Sequence, residues 1–157
     1  VPFIDCKVSN SARMFRDFCY FCNDFELTQT KYIMKKVIST SAAPGAIGPY
    51  SQAVVAGDFV YCSGQLPINP ADGKMPAGVN AQTRQSLANV KAILAEEGLT
   101  LDNVVKTTVF LADMSLFGEM NRVYGEEFAA PFPARSAFAV KELPMNALVE
   151  IEVIAHR

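Results

Sequence analysis

The sequence contains almost no histidine: among its 157 residues the only one is His156, next to the C-terminus. A Ser-His-Asp or Cys-His nucleophile needs a histidine beside it, and a multi-histidine metal site needs several. With one histidine beside the C-terminus, both arrangements have almost no material to work with, and much of hydrolase chemistry is excluded. We expect no metal site in this chain.

The chain also lacks an excess of basic charge. Fourteen Lys and Arg residues against 16 Asp and Glu give a net charge of -2 and a pI near 5.4, whereas proteins that bind duplex nucleic acid usually carry a basic surface. Half of the residues are hydrophobic and 19% are charged, so the chain can bury one core of single-domain size. We expect neither a nucleic-acid nor a membrane partner.

Residues 1–33 differ from the rest in composition, because they contain three of the four cysteines, five of the eleven phenylalanines and no glycine. They have no apolar run of the ~7–15 residues that a secretory signal needs, and they carry acidic residues that transit peptides avoid. Met34 begins a Met-Lys-Lys-Val-Ile stretch that is typical of a natural start. We interpret residues 1–33 as a leader of upstream or artificial origin outside the fold, and 34–157 as the domain.

The cysteines do not form a recognisable site. Cys19 and Cys22 have the spacing of a zinc or redox pair, but a zinc site needs two more ligands, for which the nearest remaining candidates are Cys6 and the distant His156, and no βαβ pattern surrounds the pair. Cys62 lies in an apolar run and is predicted to be a buried structural thiol. The absence of a disulfide framework favours a reducing, cytoplasmic location.

Periodicity after Met34 predicts an α+β fold in the order β-β-β-α-β-α-β-β. Two helices would cover one face of the sheet, and a domain of about 124 residues has no element left for the other face. Burying that face requires a second subunit, so we expect a homo-oligomer. The predicted strands span 36–40, 51–55, 59–65, 103–111, 135–140 and 148–155, and the helices span 80–97 and 115–128.

Two carboxylates share one face of the last predicted strand. Alternation places Glu150 and Glu152 together, about 6.5–7 Å apart, which is close enough for each to perturb the ionisation of the other. The alternative is a solvated face with cross-strand ion pairs.

Arg135 and two polar loop residues are further candidates. Arg135 follows the stiff segment Pro131-Phe-Pro-Ala134, and a fixed guanidinium binds a carboxylate or phosphate through two hydrogen bonds. The alternative is a structural ion pair with Glu150 or Glu152. Tyr50, at the end of a Gly/Pro-rich loop, and Ser63, before a glycine, are suited to orienting a small ligand.

Four sequence blocks resemble, in order and spacing, the RidA (YjgF) branch of the Rid family. The similarity covers Met34 to Arg157, and residues 1–33 have no counterpart in that family. The blocks are Ala43-Pro-Gly-Ala-Ile-Gly-Pro-Tyr-Ser-Gln-Ala53, Cys62-Ser-Gly-Gln65, Met120-Asn-Arg-Val-Tyr124, and Pro133-Ala-Arg-Ser136 with Val149-Glu-Ile-Glu152.

The resemblance implies a homotrimer of chorismate-mutase-like subunits with a mixed β-sheet, two helices on one face and sites in the clefts between neighbours. It also implies hydrolysis of reactive 2-imino or enamino acids, such as 2-iminobutanoate and 2-iminopropanoate, to 2-keto acids and ammonia. An imine carbon is already electrophilic, so positioning and one oriented water could suffice. We therefore expect no cofactor.

The resemblance also implies roles for individual residues. Arg135 would bind the substrate carboxylate, and Glu150 would hold and activate the attacking water. The family often has a cysteine two places after this arginine, where the present chain has Ala137, whose backbone amide would still contact the carboxylate. The residues lining the cleft would be Tyr50, Ser63, Gly64 and Asn121, with Tyr50 contributed by a neighbouring subunit.

Two other functions remain open. One is a ribonuclease or translation-inhibiting activity, which the acidic pI and the absence of a histidine pair disfavour. The other is a non-catalytic trimer that binds small carboxylates, which would need Arg135 but not Glu150.

Overall fold

The computed structural model describes residues 35–157 as a six-stranded sheet with two α-helices. All eight elements predicted from the sequence are present in the predicted order, with ends that differ by a few residues. They are β1 (Lys36–Ile38), β2 (Ala53–Ala56), β3 (Phe59–Gln65), α1 (Val79–Ala95), β4 (Val104–Leu111), α2 (Phe117–Glu127), β5 (Ala134–Ala139) and β6 (Val149–His156). Residues 1–34, including Cys19 and Cys22, lie outside the described residues.

The sheet is mixed, with the order β1-β2-β3-β6-β4-β5. The last strand in sequence, β6, lies in the middle, antiparallel to both β3 and β4. Strands β4 and β5 are parallel and are connected through α2, as a crossover between parallel strands requires. As a result, β5 lies at one edge of the described sheet.

The helices cover one face of the sheet, as predicted. The apolar residues of α1 recur at helical spacing, and Leu87, Val90, Ile93 and Leu94 are fully buried. Helix α1 packs over β3 and β6, and α2 packs against α1. Each buried Leu or Val side chain contributes about 1.5–3 kcal/mol relative to an exposed one, so this layer is the main source of stability.

The other face of the sheet has no covering element within residues 35–157. Strand pairing and alternation place Val37, Tyr61 and Phe138 on this face. Their side chains are 59%, 44% and 45% exposed. Phe110, opposite Glu150 on the neighbouring strand, packs edge-on against Phe138 with ring centroids 5.4 Å apart. We call this surface the open face.

Local turn chemistry explains where several elements end. Gly57, with φ of 63°, makes the predicted two-residue turn between β2 and β3. Helix α1 ends at Ala95, two residues earlier than predicted, and Gly98 then takes a φ of 69°.

Cys62 is buried, as predicted, and burial together with the nearby Glu152 raises the pKa of its thiol to about 12. Neither helix between residues 35 and 157 is long and apolar enough to cross a bilayer.

Candidate functional site

The guanidinium of Arg135 is fixed in position by side chains of α2. Its central carbon lies 4.5 Å from the ring centroid of Tyr124 and 5.6 Å from that of Phe117, and its Nη2 donates to Asn121 Oδ1 at 2.7 Å. Positions 117, 121 and 124 fall on one face of a helix, so all three reach the same point beside β5. The structure thus brings together two residues predicted for the site, Arg135 and Asn121.

Tyr124, which supports the guanidinium, is itself held on two sides. Its hydroxyl lies 2.8 Å from Thr107 Oγ1, and its ring stacks on Phe128 with centroids 4.4 Å apart. Burial raises the pKa of this hydroxyl, so it remains protonated at neutral pH. The rings of Tyr124 and Phe117, which lie against the guanidinium, are called the aromatic platform below. Its Tyr124 ring is held in place and uncharged.

Arg135 opens onto a cavity of about 320 Å³. The cavity is lined by Asn121, Tyr124, Gly125, Phe132 and Arg135. Among residues 35–157 no carboxylate lies within ion-pair distance of Arg135. The alternative of a structural ion pair between Arg135 and Glu150 or Glu152 is therefore wrong for the single subunit.

Ala137 lies two residues along β5 from Arg135 and points to the same face of the sheet. The N–H of Val140 donates to Leu111 O on β4, at 2.9 Å. Because successive N–H groups of a strand point to alternate sides, the amide of Ala137 faces the free edge of β5. We call Arg135, Asn121 and Ala137 the Arg135 cluster.

Glu150 belongs to the open face, where its carboxyl group lies directly against Gly64. A Cβ atom added to Gly64 would stand 2.0 Å from Glu150 Oε1 and 2.8 Å from its carboxyl carbon, so any larger residue at position 64 would displace the Glu150 carboxyl group. Glu150 is half-buried, and this burial, with a smaller effect from Glu152, raises the pKa of its carboxyl group.

Ser63 and Gly64 form a β-bulge. The pairing of β3 with β6 shifts between Cys62, opposite Val153, and Gln65, opposite Ile151, so β3 has one extra residue there. Ser63 is fixed by its Oγ, which donates to Ser51 O at 2.7 Å, and by its N–H, which donates to Gln52 O at 3.0 Å.

Tyr50 lies next to the bulge and is 50% exposed. It lines a small cleft of about 40 Å³ together with Gly64. The structure therefore brings together four residues predicted for the site, Tyr50, Ser63, Gly64 and Glu150, which we call the Glu150 cluster.

The two clusters point to opposite faces of the sheet. Thr107 on β4 pairs with Arg135 on one side and with Val153 on the other, so all three point to the helix-covered face. Glu150 lies at an odd offset from Val153 and points to the open face. One subunit therefore does not bring Arg135 and Glu150 together around one small molecule.

Sequence reasoning missed two residues of the surroundings. Tyr124 ends the Met120-Asn-Arg-Val-Tyr124 block but is not among the predicted site residues, although its spacing of three from Asn121 places both on one face. Gln52, a buried polar residue beside the Gly/Pro loop, had no distinguishing pattern.

Between residues 35 and 157 no group of three or more His, Cys, Asp or Glu side chains is arranged to hold a metal ion.

The fold and the two clusters define a small α+β domain with an anchored arginine and a half-buried glutamate. Residues 40–157 match the family model described as endoribonuclease L-PSP, and the chain belongs to this family, the YjgF/RidA family.

Known proteins are similar along nearly their whole length. A RutC family protein of Pyrococcus horikoshii is 50% identical over 79% of this chain and 99% of its own. The 2-iminobutanoate/2-iminopropanoate deaminase of Escherichia coli K12 is 50% identical with the same coverage. The crystal structure of E. coli TdcF with bound serine matches with a TM-score of 0.74 and 46% identity, over 78% of this chain and 99% of that chain.

Proposed function

We propose that this protein hydrolyses small 2-imino or enamino acids to 2-keto acids and ammonia. The observation that carries the proposal is the guanidinium of Arg135, which is anchored by Tyr124 and Asn121 but has no carboxylate partner among the described residues. A substrate carboxylate would supply that partner through paired hydrogen bonds. The outward-facing amide of Ala137 would donate a further hydrogen bond to it.

The relatives support the same chemical class. The E. coli protein named 2-iminobutanoate/2-iminopropanoate deaminase is 50% identical to this chain. Serine, bound in the TdcF structure, has a carboxylate and a nitrogen on the same carbon, as a 2-imino acid does.

Glu150 would act on the attacking water. Its carboxylate accepts a proton from the water as the water oxygen bonds to the imine carbon, and returns it to the nitrogen as the C=N bond becomes single. The hydroxyl proton of this intermediate then passes through Glu150 to the nitrogen as the C–N bond breaks and the C=O bond forms, which releases ammonia and the keto acid and leaves Glu150 ionised. Because burial raises the pKa of Glu150, its carboxylate is a stronger base than an exposed one.

The active site would be formed by two copies of the chain. The Arg135 cluster of one copy would face the Glu150 cluster of the next, because one subunit holds them on opposite faces. Such a head-to-tail contact closes into a ring, and we propose a trimer of chorismate-mutase-like subunits. The apolar side chains of the open face, including Val37, Tyr61 and Phe138, would be buried in this assembly.

A coupled assay tests the proposal. A dehydratase supplies fresh 2-iminobutanoate, and the loss of the imine is followed with and without this protein. We expect Arg135→Ala to abolish conversion, and Glu150→Ala to lose turnover while still binding the keto acid in calorimetry. Arg122→Ala, which removes an exposed arginine of α2 paired with Glu126, is the matched control and should retain activity.

Each failure has a distinct meaning. A wild-type rate no faster than spontaneous hydrolysis would exclude the enzyme. Normal turnover by Glu150→Ala would exclude the role of Glu150 in activating water. Ligand binding without any turnover would favour the carboxylate-binding trimer, and RNA cleavage by the wild type that persists in both variants would favour the ribonuclease.

A further inference from the structure

The loop that carries Tyr50 has little backbone structure of its own. It contains two glycines and two prolines between Ala43 and Tyr50, and proline has no N–H to donate. Among the described residues, one backbone hydrogen bond joins two members of 43–50, from Tyr50 N–H to Gly48 O at 2.8 Å. Something other than the loop backbone must therefore hold Tyr50 beside Gly64.

The side chain of Gln52 supplies hydrogen bonds that the loop backbone does not make within itself. It is 3% exposed, and its Oε1 accepts the N–H of Thr40 at 2.7 Å. Its Nε2 donates to Thr40 O at 3.0 Å and to Pro44 O at 2.8 Å, with a longer contact of 3.3 Å to Ala43 O. One amide thus satisfies both backbone groups of Thr40 and ties the start of the loop to its end.

Gln52 also adjoins the bulge of the Glu150 cluster. Its carbonyl oxygen accepts the N–H of Ser63 at 3.0 Å, and the carbonyl of the preceding residue, Ser51, accepts Ser63 Oγ at 2.7 Å. The loop and the bulge therefore meet at residues 51 and 52. Tyr50 lies two residues before Gln52 in the chain.

We propose that Gln52 is a positioning residue that holds the 43–50 loop so that Tyr50 lines the active site. The inference rests on the deaminase function proposed above and adds a residue that does not touch substrate. The partners of its buried amide are backbone groups of Thr40, Ala43 and Pro44, and replacing it would leave the Thr40 N–H and the Pro44 carbonyl without their hydrogen bonds.

The test is a double-mutant cycle between Gln52 and Tyr50. Gln52→Met keeps the length of the side chain and removes its hydrogen bonds. We expect kcat/KM to fall by about tenfold in the wild-type background, since a small displacement of a lining residue is costly. In the Tyr50→Ala background the same change should lower kcat/KM by less than about twofold, because the group being positioned is gone.

Thr83→Val is the matched control. It removes another buried hydrogen bond, from Thr83 Oγ1 to Val79 O at 2.7 Å within α1, and should leave kcat/KM unchanged in both backgrounds. Equal losses for Gln52→Met in the two backgrounds would overturn the inference, since Gln52 would then support only the fold. A second variant, Gln52→Glu, keeps an acceptor for Thr40 N–H but not the donors, and the same non-additivity is expected.

Hydrogen exchange gives a readout that does not depend on activity. In Gln52→Met, the amides of 40–50 should exchange faster than in the wild type, while those of α1 stay protected. Unchanged exchange in 40–50 would overturn the inference even if the wild type proved inactive as a deaminase. An inactive wild type with accelerated exchange in the variant would instead contradict the proposed function alone.

Discussion

The acidity of Glu150 depends on two neighbours, a glycine with no side chain and a second carboxylate two residues along the same strand. Gly64 lets the carboxyl group lie against the backbone of β3, where it is half-buried. Glu152 points to the same face and adds a like charge. Both effects raise the pKa of Glu150, and burial has the larger effect.

Removing the charge of Glu152 should shift the pH dependence of turnover. A neighbouring negative charge disfavours the ionised form of Glu150, so Glu152→Gln lowers the pKa of Glu150 toward its ordinary value. Turnover that requires the carboxylate rises as pH rises through this pKa. We therefore expect the acidic limb of the kcat profile to move to lower pH in Glu152→Gln.

The profile is measured by following 2-iminobutanoate loss across the acidic range. Glu96→Gln, which removes an exposed carboxylate just beyond α1, should leave the limb in place. A limb that stays fixed or moves to higher pH in Glu152→Gln would show that Glu152 does not act on Glu150 through its charge.

At the scale of the element, strand β3 differs from the sequence-based prediction in one respect. Its bounds, Phe59–Gln65, are those predicted, but its pairing with β6 contains a bulge at Ser63 and Gly64. Alternation within one strand is a local property, whereas a bulge is defined against the partner strand, which lies some 90 residues further along the chain. The strand was therefore predictable and the bulge was not.

A side chain at the bulge should disturb the glutamate rather than the fold. Gly64 does not adopt a positive φ, so alanine can take its backbone conformation, but the new Cβ would overlap the Glu150 carboxyl group. We expect Gly64→Ala to lower kcat by about tenfold or more, because the base is displaced, while the protein stays folded.

The matched control for this change is Gly118→Ala in α2, where an added Cβ meets nothing within 4 Å. It should leave kcat unaltered. Thermal unfolding followed by circular dichroism separates the two effects of Gly64→Ala. A normal kcat in Gly64→Ala would mean that the orientation of Glu150 against β3 is unimportant for turnover.

At the scale of the whole molecule, the division of the site between two sheet faces leads to a complementation experiment. Arg135→Ala and Glu150→Ala proteins are each expected to be inactive. When they are unfolded together and refolded as mixed assemblies, some sites combine an intact Arg135 from one copy with an intact Glu150 from the next. Random mixing in a closed ring predicts recovery of about a quarter of wild-type activity.

The double variant Arg135→Ala/Glu150→Ala, mixed with either single variant, is the control and should recover nothing. Light scattering on the wild type reports the number of copies, for which we expect three. If the mixed single variants also stay inactive although they assemble, both residues act within one subunit and the proposed shared site is wrong.

The sequence by itself determined the eight elements, their order and the shared face of Glu150 and Glu152 on the last strand. These properties depend on side-chain periodicity and turn residues, which act over a few positions along the chain. It also singled out Arg135 and Glu150 as candidate site residues, through their local settings and the family resemblance.

Only the tertiary structure decided the strand order, the bulge against β6, the aromatic platform under Arg135 and the contacts of Gln52 with the loop. It also showed that Arg135 and Glu150 point away from each other within one subunit. These features join residues far apart in the chain, and their geometry is set by which strands pair and how they register, which no local pattern encodes.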